Sequence, residues 1–295
     1  MDAGVDFGRV ITAMATPFRA DGSLDLDGAR LLAEHLVAHG SDSLVITGTT
    51  GEAPTLAHSE KKDLWAAVAG AVRGRAAMIA GTGTYSTAES IELTRIAAEA
   101  GADGVLLVTP YYSKPPQSGL LEHFKAVAAS TSLPVILYDI PSRTARKIEH
   151  ATLLELAAVD NIVGVKDAAA DPSGTAKLVA EAPRLRVWSG DDALTLPMLA
   201  VGAVGVVSVA SHLAGHRIAE MIAAHDKGDV EGAARIDREL RPLYEVLFIT
   251  SNPIPLKAAL AMVGLPAGPV RLPLVEATAT ERDRIRSVLE RLGLV

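Results

Sequence analysis

Eight short apolar runs recur along the chain, their starts spaced roughly 20–35 residues apart, the length of one βα repeat. They are VITAMATPF from Val10, SLVITG from Ser43, AMIAGTG from Ala77, GVLLVTPYY from Gly104, PVILYDIP from Pro134, NIVGVKDA from Asn161, LRVWSGDD from Leu185 and GVVSVAS from Gly205. Each is continuously apolar rather than alternating, the pattern of a parallel strand buried on both faces. The intervening segments have helical periodicity. Leu32, Leu36 and His39 precede a stop at Gly40; Leu64, Ala67, Val68, Ala71 and Val72 precede Gly74. In the third segment Ser86 and Glu89 fit a capping box ahead of Ile91, Leu93, Ile96 and Ala97, and Gly101 ends it. Eight such units predict an α/β fold, a closed (β/α)8 TIM barrel. A doubly wound sheet is the competing arrangement, but no G-x-G-x-x-G turn follows the first strand.

Beyond the eighth run, helical patterns near Ile218–Ala224, Val230–Thr250, Pro255–Val263 and Glu281–Leu292 exceed what a barrel needs. The expected division is a catalytic barrel over 1–229 and a C-terminal helical appendage over 230–295, packed on the barrel. The 295 residues and 49% hydrophobic content suit one large core. A net charge of −7 without a basic run lacks the footprint of a nucleic-acid binder. With no cysteine, disulfides, thiolate metal sites and cysteine nucleophiles are excluded. Asp191 and Asp192 have no histidine at ligand spacing, so Asp191 reads as structural and no metal is expected. The N-terminus lacks a signal-peptide pattern, and no apolar run approaches the ~20 residues of a membrane span, so a cytoplasmic protein is expected.

In a barrel of this kind the strand C-termini carry the chemistry. They hold Thr47 to Glu52, Thr109 to Tyr112, Tyr138-Asp139, Lys166-Asp167, Ser189 to Asp191 and Ser208. Alternation places Ile162, Gly164 and Lys166 on one face and Val163 and Val165 on the other; valines toward the helices would turn Lys166 into the barrel mouth. Burial there would lower the amine's pKa and make it nucleophilic. By position alone, however, Lys166 reads better as a strand-end lysine snorkelling into solvent. Tyr138 ends the neighbouring strand, balanced between a core aromatic and a proton carrier for imine chemistry. The turn Gly48 to Glu52 offers hydroxyls and backbone N–H groups to a carboxylate. Arg143 offers a bidentate fork, although a solvated loop arginine is the simpler reading.

Taken together, GTTGEAPT at 48–55, AGTGTYSTAESI at 80–91, VTPYYSKPP at 108–116, LYDIPSRTA at 137–145, GVKDA at 164–168, SGDDA at 189–193, GVVSVASH at 205–212 and NPIPLK at 252–257 resemble the dihydrodipicolinate synthase branch of the pyruvate-dependent class I lyase and aldolase family. The resemblance implies a Schiff base between Lys166 and pyruvate, whose enamine attacks L-aspartate 4-semialdehyde to give 4-hydroxy-tetrahydrodipicolinate for lysine and diaminopimelate synthesis. It implies a proton relay of Thr50, Tyr112 and Tyr138, with Tyr112 crossing a subunit interface. It further implies pyruvate binding by Thr49 and Thr50, backbone lining by Gly190 and Val207, and Arg143 on the semialdehyde's carboxylate. Neither metal nor organic cofactor is implied, and the family norm is a homotetramer, a dimer of dimers. Asp139 stands where asparagine is usual and Asp167 where glutamate is. At the positions of the family's lysine-effector pocket, Pro54, Lys61 and Tyr85 replace small, imidazole and amide groups, which implies weak or absent inhibition by lysine. An aldolase for a sugar-derived 2-oxo acid would have no need of Arg143 or the Tyr111-Tyr112 pair. A barrel without catalysis would have no need of Lys166.

Overall fold

The apolar runs pair edge to edge, all in parallel, until the last meets the first. In the computed structural model, which describes residues 5–295, the strands are β1 Val10–Ala13, β2 Ser43–Ile46, β3 Ala77–Gly81, β4 Gly104–Val108, β5 Val135–Asp139, β6 Ile162–Asp167, β7 Arg186–Ser189 and β8 Gly205–Ser208. They form a closed barrel in chain order, β1 pairing with both β2 and β8. The outer layer comprises α1 Leu26–Ala38, α2 His58–Val72, α3 Thr87–Glu99, α4 Gln117–Ala128, α5 Pro141–Thr144, α6 His150–Leu156, α7 Pro172–Glu181, α8 Thr195–Ala200 and α9 Ser211–Asp226. Then follow α10 Val230–Val246, α11 Ile254–Met262 and α12 Ala279–Arg291. No helix among the described residues is long and apolar enough to cross a membrane.

Two apolar layers result from burying both strand faces. Outward side chains such as Leu44, Met78, Val105, Leu137 and Val165 pack with the helices, while Phe7, Ile11, Val45, Ile79, Leu106, Ile136, Trp188 and Val207 fill the barrel's interior. The interior is a plugged floor, so the open space lies above it at the strand C-termini.

One local irregularity decides which way the key lysine points. Val135 pairs with Ile162 but Ile136 pairs with Gly164, so Val163 is an extra residue in β6. The bulge reverses the expected faces at the strand's start: Ile162 packs among the outer helices and Val163 packs against the barrel interior. Alternation resumes at Gly164, leaving Val165 outside and Lys166 inside, in register with Tyr138 and Trp188. Gly164 is needed here because a Cβ would lie 2.6 Å from Trp188 Cζ3 and 2.4 Å from Arg186 O. Its bare backbone lets the indole slide beneath Lys166, with Nε1 donating to Gly8 O at 3.0 Å.

Two helix ends differ from the expected pattern. Ser86 caps α3 by accepting from Glu89 N, but the Glu89 carboxylate meets His58 Nε2 at 3.0 Å instead of reaching back, so the capping box is only half formed. Helix α10 ends at Val246 rather than Thr250 and carries Pro242 within it. The C-terminal helices lie against the barrel, and segments beside α11 reach the barrel mouth, so the two parts expected from sequence contribute to one cavity.

Candidate active site

Lys166 is 6% exposed, at the last inward position of β6. Its Nζ lies 4.0 Å from the centroid of the Tyr138 ring, contributed by the register partner on β5. Burial lowers its pKa to about 7; Asp192 opposes that shift and Arg143 adds to it. A large fraction of the amine is therefore neutral near pH 7, the form that attacks a carbonyl. Burial pushes the Tyr138 hydroxyl up to about 12, against a hydrogen bond shared with Thr49, so the phenol stays protonated and serves as a donor. A buried amine beside a protonated phenol can form a carbinolamine and expel its hydroxyl as water. Because only the neutral amine reacts, the rate of trapping a carbonyl on Lys166 should rise about tenfold per pH unit below about 7 and level off above it. Borohydride trapping at subsaturating carbonyl measures this, and a flat profile from pH 5 to 8 would contradict it.

Next to this pair opens a cavity of about 310 Å³, lined among others by Gly48, Thr49, Tyr111, Tyr138, Arg143 and Asn252. Its first wall is the turn after β2, which leaves the strand through a left-handed Thr47 (φ 59°) and ends in a left-handed Glu52 (φ 54°). Thr47 Oγ1 donates to Gly81 O at 3.0 Å and accepts from Trp65 Nε1 at 2.9 Å, fixing the bend. Glu52 N donates to Thr49 O and Ala53 N to Gly48 O. The N–H groups of Thr49 and Thr50 reach no acceptor among the described residues, leaving donors for an anion. Arg143, on α5, also lines the cavity, its Nη2 donating to Asn252 O at 3.5 Å.

Of the residues expected from sequence, Lys166, Tyr138, Thr49 and Arg143 converge. Thr50 does not join the relay side of the site. It is buried, and its Oγ1 accepts from Asn252 Nδ2 at 2.9 Å, so the hydroxyl beside Tyr138 belongs to Thr49. Tyr112 is 93% exposed, has a left-handed backbone (φ 70°) and takes no part in its own chain's cavity wall. Gly190 donates its N–H to Asp167 O at 2.7 Å, and Val207 is packed in the barrel interior; neither lines the cavity. Asp139 and Asp167 are register partners beside the reactive pair. Asp139 Oδ1 accepts from Ile148 N, and Asp167 accepts from Ala169 N and Thr175 Oγ1, so both tie strand ends to the following loops. Burial raises Asp139 to about 7, with the Asp167 charge adding to the shift.

Sequence reasoning missed three groups. Asn252 lines the cavity and holds Thr50; it stands in the NPIPLK motif, but nothing local to that motif says it folds over the barrel. Buried Asp192 accepts from Ser208 Oγ and from Val209 N and Ala210 N at 3.0 Å, ordering the end of β8. Buried His212 accepts from Ala15 N through Nε2 and donates Nδ1–H to Val209 O, joining the ends of β1 and β8. Away from the cavity's centre, Lys61 is buried on α2 and faces Glu89, which already bonds His58. Among the described residues no group of three or more His, Cys, Asp or Glu side chains is arranged to hold a metal ion.

Residues 6–292 match the model of the dihydrodipicolinate synthetase family. The 4-hydroxy-tetrahydrodipicolinate synthase of Moorella thermoacetica is 57% identical over 99% of this chain and 100% of its own length. That of Heliobacterium modesticaldum is 54% identical over 98% of this chain and 97% of its own. A crystal structure of the Cyanidioschyzon merolae dihydrodipicolinate synthase with lysine bound superposes with a TM-score of 0.97 at 45% identity, covering 98% of this chain and 99% of that one.

Proposed function

The chain belongs to the dihydrodipicolinate synthetase family, and from that premise we propose that it condenses pyruvate with L-aspartate 4-semialdehyde to give 4-hydroxy-tetrahydrodipicolinate. The observation that carries this reading is Lys166, an amine buried against the protonated phenol Tyr138, which in turn lines a cavity with free backbone donors. Neutral Lys166 attacks C2 of pyruvate; Tyr138 delivers a proton as the carbinolamine oxygen leaves as water. Loss of a C3 proton from the imine gives the enamine, whose C3 bonds to the aldehyde carbon of the second substrate. That substrate's amine then displaces Lys166 from C2, which closes the ring and frees the enzyme.

Thr49 and the N–H groups of its turn receive the pyruvate carboxylate, and Thr49 takes the relay place beside Tyr138. Thr50, held by Asn252, supports the turn. Arg143, on the cavity wall, binds the semialdehyde's carboxylate. Tyr112 supports an assembled enzyme. A tyrosine kept in a left-handed conformation at a cost of about 1–3 kcal/mol, yet exposed in its own chain, suits a residue that completes a neighbour's site. On this reading Tyr112 of the partner subunit joins Tyr138 and Thr49, and the enzyme is a cytoplasmic homotetramer built as a dimer of dimers.

The test is pyruvate loss on mixing purified protein with both substrates, with no metal or cofactor added. Consumption that requires the semialdehyde supports the reading. Pyruvate trapped on Lys166 but never consumed would discard this acceptor in favour of a sugar-derived aldehyde.

Although a structural relative was solved with lysine bound, we expect this enzyme to ignore lysine. Glu89 already bonds His58 through Oε1 and faces the buried Lys61 ammonium, so an incoming ammonium meets repulsion and a carboxylate already engaged. Low-millimolar lysine should change the rate by less than about twofold. A clear drop over that range would contradict the expectation.

A further inference from the structure

The anion-binding turn is held from outside the barrel. Both carboxylate oxygens of Glu52, its last residue, are taken by the C-terminal segment. Lys257 Nζ, on α11, lies 2.7 Å from Oε1, and Arg271 N donates to Oε2 at 2.9 Å. The Lys257 and Glu52 side chains are 3% and 0% exposed, so this ion pair is almost wholly desolvated. Lys257 Nζ also donates to Pro269 O at 2.7 Å and sits 4.2 Å above the Phe18 ring, with the Arg271 guanidinium the same distance from that ring. Arg271 reaches onward to Glu60, Thr55 O and Gly22 O. Pro273 and Leu274, just past Arg271, line the cavity. One buried charge network thus joins the turn on one wall to the C-terminal strap on another.

A buried ion pair is a poor device for stability alone, since apolar residues of similar volume commonly do as well. It does fix geometry, because the Lys257 ammonium holds Oε1 at 2.7 Å while Oε2 accepts a backbone hydrogen bond from Arg271 N, tying the carboxylate to the C-terminal segment at two points. We propose that Lys257 is a positioning residue for the pyruvate-binding turn: through Glu52 it holds residues 48–52 in the conformation that leaves the Thr49 and Thr50 N–H groups available to an anion. The substrate in this statement rests on the function proposed above; the latch itself rests on the ion pair and the left-handed Glu52.

The experiment compares Lys257→Met with Glu52→Gln/Lys257→Met. Three quantities are read: amide hydrogen exchange over 47–53, the pyruvate half-saturation for borohydride trapping on Lys166, and the melting temperature. In Lys257→Met, exchange in the turn should rise at least about tenfold. Pyruvate half-saturation should rise about tenfold, while trapping at saturating pyruvate stays within about threefold. The single variant strands a buried carboxylate and loses stability; the double variant leaves no unpaired charge and should recover its melting temperature. Its pyruvate half-saturation should nevertheless stay high, which a merely structural role would not produce. Should the single variant fail to fold, the double variant decides. Unchanged exchange in the turn, or a half-saturation that returns to wild type along with the melting temperature, would overturn the proposal. Wild-type protein that traps no pyruvate would instead sink the functional reading, with the exchange data still deciding the latch.

Discussion

Lys166→Ala should abolish turnover, with kcat falling on the order of 10⁴-fold or more, while leaving the protein folded and no less stable. The two halves of this result have different causes. Turnover fails because no other described group offers a neutral amine at the cavity: Lys257 is engaged with Glu52, and Lys61 lies toward Glu89 on α2. Stability survives because the wild-type amine is buried at a cost, as its lowered pKa shows. Alanine removes that desolvated group, and the position borders the open mouth rather than the plugged floor, so little packing is lost. The melting temperature of the variant should equal or exceed that of the wild type. A variant that melts lower and keeps measurable turnover would show Lys166 to be a structural residue.

Tyr138→Phe should lower kcat by about 10²–10⁴-fold, the range for loss of one positioned proton donor. The ring is needed for packing, because it belongs to the interior cluster and lies against Lys166. Phenylalanine keeps that ring and removes only the hydroxyl. Imine formation should slow as well, since carbinolamine dehydration needs the same proton. Single-turnover trapping kinetics would separate that step from the later ones. A kcat within threefold of wild type would remove Tyr138 from the mechanism and leave it a core aromatic.

How far the sequence anticipated this site differs by residue. The barrel was legible because each strand is buried on both faces, which forces the continuous apolar runs that mark it. Lys166 and Tyr138 are legible as inward strand ends, but strict alternation misplaces the start of β6. Alternation puts Ile162 inside with Lys166, whereas the extra residue Val163 reverses the strand's start and the phase returns at Gly164. Period-2 counting cannot see a bulge, because bulge residues have no composition of their own.

The reading that puts Thr49 rather than Thr50 beside Tyr138 rests on tertiary contacts alone. Adjacent threonines in a turn look alike in sequence, and only Asn252, some two hundred residues away in the chain, turns Thr50 aside. Lys257 and Arg271 were illegible for the same reason, since their partners Glu52 and Glu60 lie in the barrel half. The appendage read from periodicity is therefore better described as a wall of the site. Tyr112 was marked by resemblance, and the structure adds its exposure and left-handed backbone.

The central claim is that this barrel works through an imine on Lys166. Its most direct test is to reduce wild-type protein with borohydride in the presence of pyruvate, digest it and locate the adduct by mass spectrometry. The account predicts one reduced pyruvate adduct per chain, on the peptide containing Lys166, forming faster as pH rises toward about 7. An adduct on a different lysine, or none at saturating pyruvate, would contradict it.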